Sequence, residues 1–259
     1  MLHLYYKINH ALWQSQPEEY RWAGRERLAR VLADARDSGV TQVLTMAVLT
    51  PRADLGFMIA TKDLQTANAL EKRLSLCLGA GVLVPAYSYL SLTERSEYMG
   101  TAEEHLAKIE KEEGLEPGTP AHDERKAAIE ARLTKYAKDK LYPNLPDWPA
   151  VCFYPMSKGR EPGANWYSLP FEERKELMLG HGAVGRQWAG KIIQLITAST
   201  GLDQYEWGVT LFGKDSRDIN QIVYQMRFDE VSAKYGIFGE FYIGLQLPAA
   251  ALLERLQLS

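Results

Sequence analysis

The stretch "CFYPMSKGR" places an oxidisable phenol and a cation four residues apart. Side chains alternate along an extended strand, so Tyr154, Met156 and Lys158 are predicted to share one face. Pro155 lacks a backbone donor, which indicates a strand end or edge. A tyrosine hydroxyl can be oxidised and can donate a hydrogen bond, and a lysine can hold an anion. The stretch alone favours a simpler interpretation, a packed tyrosine beside a lysine with a solvated tip.

A histidine between two glycines follows in "ELMLGHGAVGR". Phe171, Met178 and His181 lie at offsets of 7 and 10, which predicts one helical stripe that packs on a sheet. Because Gly180 and Gly182 add little bulk, a flat metal-bearing ligand could reach the imidazole. A lone histidine on an apolar stripe is, however, more often a hydrogen-bonded core residue. The other histidines lack partners at zinc spacing and are predicted to be surface or packing residues: His3, His10, His105 and His122.

Polar residues in later segments could complete a site. Gln194 lies in the predicted strand "KIIQLITAS", where a buried amide needs a partner, either backbone or water or a ligand atom. Arg227 ends a predicted helix and either complements the helix dipole or binds a carboxylate with its two parallel N–H groups. Ser232 is predicted to lie in the loop that follows. With the phenol and the imidazole, these residues predict a cavity suited to a flat, metal-bearing, polyacidic molecule such as a porphyrin.

These residues must be positioned by the second of two similar halves. Strand-like and helix-like segments alternate as β-α-β-β-α-β twice, and the junctions "IATKD" and "LFGKD" occupy matching points. The pattern predicts an α+β fold of two tandem ferredoxin-like domains of the dimeric α+β barrel type. Residues 1–92 form the predicted N-terminal domain, without ligand, and residues 149–259 the ligand-binding domain. Residues 93–148 hold two charged, alanine-rich helices that predict a helical connection.

Composition excludes several classes of protein. The formal net charge of −3 argues against a non-specific nucleic-acid binder. The start of the chain does not resemble a signal peptide, and no apolar run approaches the roughly 18 residues that span a bilayer. Cys77 and Cys152 lie in apolar contexts without metal-ligand spacing. We therefore expect reduced, buried thiols in a cytoplasmic protein that binds neither nucleic acid nor membrane.

Several longer motifs carry a family resemblance: "YPMSK", "NWYSLPFEER", "GLDQYEWGVTLF" and "YQMRFDEVSAKYG". Over about residues 140 to 245 the chain resembles the chlorite dismutase-like haem family, in particular its coproheme decarboxylase branch. The resemblance implies iron coproporphyrin III (coproheme) as substrate and redox centre, haem b as product and hydrogen peroxide as oxidant. It also implies a homopentamer and transient contact with a coproporphyrin ferrochelatase.

The same resemblance implies catalytic and iron-binding roles. Tyr154 corresponds to the redox-active tyrosine, which would carry a radical, and Lys158 to the lysine near the propionates. His181 corresponds to the proximal iron ligand. Gln194 corresponds to the distal glutamine, where chlorite-degrading members carry an arginine. A neutral glutamine there speaks against chlorite as substrate.

Further positions correspond to porphyrin-binding residues. Arg227 and Ser232 match residues that hold propionates, and Met156 lines the same pocket. Lys140 stands where relatives commonly have an arginine, so the charge is kept but the bidentate geometry is lost. The alternatives are a chlorite dismutase, a non-catalytic haem carrier or sensor, and a ligand-free barrel protein in which His181 is merely packed.

Overall fold

The structure is a computed structural model that describes all 259 residues, and their contacts divide the chain into two compact units. Unit 1 comprises residues 1–92 and 145–259, and unit 2 comprises residues 93–144. The segment 145–148, assigned from the sequence to the helical connection, thus belongs to unit 1. The Leu145 N–H donates to the Gln42 side chain at 2.8 Å, and Trp148 packs against the buried core of the sheet.

Strands and helices follow the predicted order. The strands are β1 (Leu2–Ile8), β2 (Gln42–Val48), β3 (Leu55–Ala60), β4 (Leu83–Leu90), β5 (Leu92–Thr93), β6 (Ala150–Lys158), β7 (Arg160–Glu161), β8 (Ala164–Asn165), β9 (Ile192–Ala198), β10 (Trp207–Gly213), β11 (Gly236–Phe238) and β12 (Tyr242–Gln246). The helices are α1 (His10–Ser15), α2 (Glu18–Asp37), α3 (Leu64–Leu76), α4 (Ala102–Glu113), α5 (Pro120–Leu141), α6 (Phe171–Arg186), α7 (Ser216–Met226), α8 (Glu230–Tyr235) and α9 (Ala249–Arg255). None of the helices combines the length and the apolar composition that crossing a membrane requires.

The main antiparallel sheet of unit 1 contains the order β4-β1-β3-β2-β12-β6-β10-β9. The repeats β1-α2-β2-β3-α3-β4 and β6-α6-β9-β10-α7-β12 each place their four strands in the order fourth, first, third, second. The two half-sheets join where β2 pairs with β12. The predicted α+β fold with two ferredoxin-like repeats is confirmed.

The sequence "IFGEFYIGLQL" has the composition of one strand but forms two. Residues 239–241, which belong to neither strand, separate β11 from β12. The Gly239 N–H donates to the Pro155 carbonyl at 2.8 Å. A Cβ at Gly239 would lie 2.6 Å from Pro155 Cγ, so a larger residue could not make this close approach.

The matching junctions seen in the sequence start equivalent helices. The Asp63 carboxylate accepts from the Thr66 N–H at 2.7 Å before α3, and the Asp215 carboxylate accepts from the Arg217 N–H at 2.8 Å before α7. Such caps satisfy donors that the first turn leaves free and typically contribute about 1 kcal/mol. The repeated "KD" therefore sets the helix start in both halves.

The halves differ in what lies between helix and sheet. In the first half, α2 buries Leu28 and Val31 and α3 buries Leu70 and Leu74 in a continuous apolar core. In the second half, α6 buries no residue, although it occupies the equivalent place. The second half thus keeps a space where the first half is filled with side chains.

Both cysteines, Cys77 and Cys152, are free and buried, as predicted from their apolar contexts.

Candidate functional site

A cavity lies between the second half-sheet and the helices that cover it. Five of the predicted site residues line it: Tyr154, Met156, His181, Gln194 and Ser232. The rest of the lining is apolar: Ile196, Val209, Leu211, Ile222, Val223, Met226 and Phe238. The enclosed space is small, about 40 Å³, and it widens into open solvent at its mouth. A mostly apolar lining with a few placed polar groups is typical of ligand pockets.

Strand register brings the phenol and the amide to the same wall. In β10, Val209 pairs with Tyr154 on one side, and Leu211 pairs with Gln194 on the other. Alternation then points Tyr154 into the cavity while Phe153 packs in the core on the opposite face of the sheet. The predicted face of β6 is thus the face that meets the cavity.

The Tyr154 ring is firmly held. It is 7% exposed and stacks on Phe241 with ring centroids 4.4 Å apart. Burial raises the pKa of Tyr154 well above its usual value, nearby Cys152 raises the pKa further, and the positive charge of Arg227 acts in the opposite direction. The hydroxyl therefore keeps its proton at neutral pH and can donate a hydrogen bond.

His181 faces the cavity from α6, and a carboxylate orients its ring. His181 Nδ1 lies 3.0 Å from Asp229 Oδ1, which leaves Nε2 for a ligand. The same oxygen accepts from the Ser232 N–H at 3.2 Å and so caps α8. Burial would raise the pKa of Asp229, but hydrogen bonds from His181 and Ser232 outweigh this effect and lower the pKa below its usual value. Of the acidic residues Asp229, Glu230 and Glu240 in the last part of the chain, Asp229 is the one that bonds the His181 ring.

The side chains around the cavity suit a metal ion that is already bound by the other ligands of its own cofactor. The chain has no group of three or more histidine, cysteine or acidic side chains that could hold a metal ion by themselves. Histidines that bind a metal through one ring nitrogen usually donate the other N–H to a carboxylate or carbonyl, and His181 has such a partner in Asp229. One imidazole beside a largely apolar cavity therefore fits the iron of a porphyrin, whose ring supplies the remaining ligands.

Lys158 continues the Tyr154 face of β6 but lies beside the cavity lining. The side chain is buried, and its ammonium lies 4.8 Å from the centroid of the Trp166 ring. Burial lowers the pKa of Lys158 to about 8, although the negative charges of Asp229 and Glu206 favour the charged form. Lys158 is thus an ammonium at neutral pH that loses its charge in mildly basic solution.

Ser232 lines the cavity, and Arg227 lies beside one of its lining residues. The Arg227 guanidinium lies 3.8 Å from the centroid of the Phe238 ring, which lines the cavity. Ser232 was expected in a loop, but it lies in the short helix α8, because Asp229 provides a cap three residues earlier. Both residues are therefore held by helix ends rather than by mobile loops.

Two expectations need separate notes. Phe171 was predicted to pack on the sheet with His181, but it is 41% exposed at the start of α6. Lys140 lies near the end of α5 in unit 2, with its ammonium 5.6 Å from the Tyr136 ring centroid, and burial lowers the pKa of Lys140. Its assigned contact with a propionate stays a prediction.

Sequence reasoning missed residues around Lys158. Glu206 and Trp166 were not singled out, although both lie in quoted motifs, "YEWG" and "NWYS". The available signal was the acidic residue within the strand-like segment "YEWGVTLF", because a carboxylate in a buried strand needs a partner.

Comparisons with known proteins agree with this geometry. Residues 21–247 match the family model described as chlorite dismutase. A coproheme decarboxylase from Staphylococcus carnosus is 37% identical over 97% of this chain and 92% of its own length. A protein from Halobacterium salinarum, named for an inferred ability to bind haem, is 39% identical over 97% of this chain, which spans only 48% of that relative's length.

Solved structures show the same fold. A haem-binding protein from Thermus thermophilus superposes with a TM-score of 0.82 and 35% identity, over 99% of this chain and 94% of that one. A chlorite dismutase variant from Candidatus Nitrospira defluvii gives a TM-score of 0.73 at 18% identity, over 98% and 94% of the two chains. The second similarity concerns the fold alone.

Proposed function

The chain belongs to the chlorite dismutase family, as its sequence motifs predicted, and from this premise we propose that it is a coproheme decarboxylase. It would convert two propionates of iron coproporphyrin III to vinyl groups, giving haem b, with hydrogen peroxide as oxidant. One observation carries the proposal. A protonated, buried tyrosine and a carboxylate-oriented histidine line the same cavity, one from the sheet and one from the covering helix.

The stoichiometry defines what the residues must do. Each propionate, with one hydrogen peroxide and one proton, gives a vinyl group, carbon dioxide and two waters, so two electrons leave the substrate. The bound iron porphyrin supplies the oxidising reactivity of the peroxide. Tyr154 would give up the electron and proton of its O–H, and its phenoxyl would then take a hydrogen atom from the propionate β-carbon. The second electron would pass to the peroxide-derived oxidant as the carboxylate departs as carbon dioxide.

The other residues bind, orient and move protons. His181 would hold the iron through Nε2, while Asp229 fixes the plane of the imidazole. Lys158 would hold a propionate or pass on a proton. An arginine could hold the propionate but could not pass on a proton, because it stays protonated. Gln194 offers a neutral amide, without the cation that an oxychlorine anion would need. Four carboxylates on the substrate explain the need for cations in addition to Arg227.

Mass analysis of the porphyrin tests the reaction. After stepwise addition of peroxide to the coproheme complex, we expect two successive losses of 46 Da, the mass of carbon dioxide plus two hydrogens. Unchanged porphyrin would indicate a carrier or sensor instead. Oxygen release from chlorite at a rate above that of free coproheme would favour the chlorite dismutase alternative.

The pH dependence of binding tests the role of Lys158. Lys158 is charged below about pH 8, and a bound carboxylate favours the charged form, so affinity should be constant below pH 8 and fall above it. The fall is limited to about tenfold per pH unit for one proton. Fluorescence titration with metal-free coproporphyrin III from pH 6.5 to 9.5 measures it.

Substitution assigns that pH dependence. Lys158→Met should weaken binding of coproporphyrin III at pH 7, because one cation is lost. It should also flatten the decline in affinity above pH 8, because the remaining cation, Arg227, does not lose its proton in this range. The exposed Lys62, in the first half of the chain, provides the control variant Lys62→Met. A profile in Lys158→Met identical to that of the unaltered protein would remove Lys158 from the binding site.

The assembly and partners are also proposals. The family resemblance supports a homopentamer and contact with a ferrochelatase, and the two free, buried cysteines support a cytoplasmic location. Analytical ultracentrifugation of the purified protein measures the first of these directly.

A further inference from the structure

Glu206 is a buried carboxylate that the proposed reaction does not use. It is 7% exposed, and it is the one acidic residue of the chain that is buried as a whole. Lys158, 8% exposed, is the one lysine in the same condition. Burying a charge is costly unless it is paired and hydrogen-bonded, so both residues require partners.

The Glu206 carboxylate has donors on both oxygens. Oε2 accepts from the Lys158 backbone N–H at 3.1 Å and from the Tyr167 hydroxyl. Oε1 accepts from the Arg160 guanidinium, whose side chain is largely exposed. The Glu206 N–H donates to the Met156 carbonyl at 3.1 Å. One side chain at the start of β10 thus holds the end of β6 and the segment that follows it.

The segment after β6, residues 159–166, includes Trp166, the ring that the Lys158 ammonium contacts. The hairpin of β7 and β8 returns the chain so that the Trp166 N–H donates to the Gly159 carbonyl at 2.9 Å. Trp166 is 3% exposed and packs edge-on against Tyr235, with centroids 5.2 Å apart. Since Tyr167 and Arg160 both bind Glu206, the hairpin and the Trp166 ring are tied to the carboxylate that binds the Lys158 backbone.

Charges near Lys158 come from two elements. Asp229, the cap of α8, and Glu206, before β10, both favour the ammonium, while burial opposes it. Asp229 also accepts from His181, and Glu206 is paired with Arg160. Loss of either negative charge would shift Lys158 toward the neutral form, which cannot attract a carboxylate.

We propose that Glu206 is a positioning residue that keeps Lys158 protonated and seated over Trp166 beside the cavity, and thereby sets the pH range in which the site accepts an acidic ligand. The identity of that ligand rests on the proposed function. The effect of Glu206 on Lys158 does not rest on the proposed function, because the contacts that produce it lie within the protein.

The decisive experiment follows Lys158 directly, without ligand. Selective ¹³C labelling of lysine, with the Lys158 ε-carbon signal assigned by Lys158→Arg, reports its titration by NMR. In Glu206→Gln the amide oxygen can still accept from the Lys158 N–H and the Tyr167 hydroxyl, but the negative charge and the bond from Arg160 are lost, so the midpoint should fall by at least about half a pH unit. Glu161→Gln, which removes an exposed charge from the same hairpin, should leave it in place. An unmoved midpoint in Glu206→Gln overturns the proposal.

A surface variant tests the opposite sign. Arg160→Gln frees the Glu206 carboxylate from its cation while altering a largely exposed side chain, so the fold is not at risk. The titration midpoint of Lys158 should then rise, and a fall or no change contradicts the proposal. This test remains available if Glu206→Gln does not fold. The pH at which affinity for metal-free coproporphyrin III declines should move with the NMR midpoint in each variant. If the protein binds no porphyrin while Lys158 titrates as expected, the proposed function fails and the role of Glu206 stands.

Discussion

Replacing Tyr154 by phenylalanine is expected to abolish conversion of coproheme to haem b while coproheme still binds. The substitution removes only the hydroxyl, and the ring keeps its stacking on Phe241 and its place in the cavity wall. Loss of a group that exchanges a proton with the substrate typically slows a reaction about 10²- to 10⁴-fold. Because the hydroxyl would also carry the electron, we expect the variant to lie at the severe end of this range.

The measurement is the porphyrin mass after peroxide addition, together with coproheme affinity from the absorption spectrum. Tyr242→Phe is the matched control, since Tyr242 is also buried, lies on the neighbouring strand and packs on the opposite face of the sheet. Its variant should form haem b at the normal rate. Normal turnover by Tyr154→Phe would eliminate the radical role while leaving the binding site intact.

Replacing His181 by alanine is expected to change the iron spectrum and weaken binding of the iron porphyrin by at least about tenfold, because the nitrogen that we propose as the iron ligand is lost. Affinity for metal-free coproporphyrin III should change little, because the acid-binding side chains remain. The fold should survive, because α6 buries no residue and the Asp229 carboxylate still accepts from the Ser232 N–H.

Absorption and electron paramagnetic resonance spectra of the ferric complex measure the first effect, and circular dichroism measures the fold. Added imidazole should restore part of the original spectrum in His181→Ala by occupying the vacated position. His10→Ala, at an exposed site in the first half, is the control. An unaltered spectrum in His181→Ala excludes His181 as the ligand, and equal loss of iron-containing and metal-free porphyrin would mean that it acts only through packing.

Local pattern was sufficient to predict much of this protein. Strand alternation in "CFYPMSK" placed Tyr154 and Met156 on one face, because side-chain direction in a strand is set by the backbone itself. The two series of strands and helices predicted the ferredoxin-like repeats, and the aspartates before α3 and α7 act within three residues of themselves. The family motifs indicated which residues the proposed chemistry on a porphyrin would use.

Tertiary structure decided what depends on residues far apart in the chain. His181 meets Asp229 across 48 residues, and Lys158 meets Glu206 across the same number, so no local pattern could select these partners. Whether a helix fills the space above the sheet, as α2 does, or leaves a cavity, as α6 does, depends on side chains from several elements at once. The burial that keeps Tyr154 protonated and lowers the pKa of Lys158 is likewise a property of the packed molecule, because the cost of a charge depends on all the atoms that displace water around it.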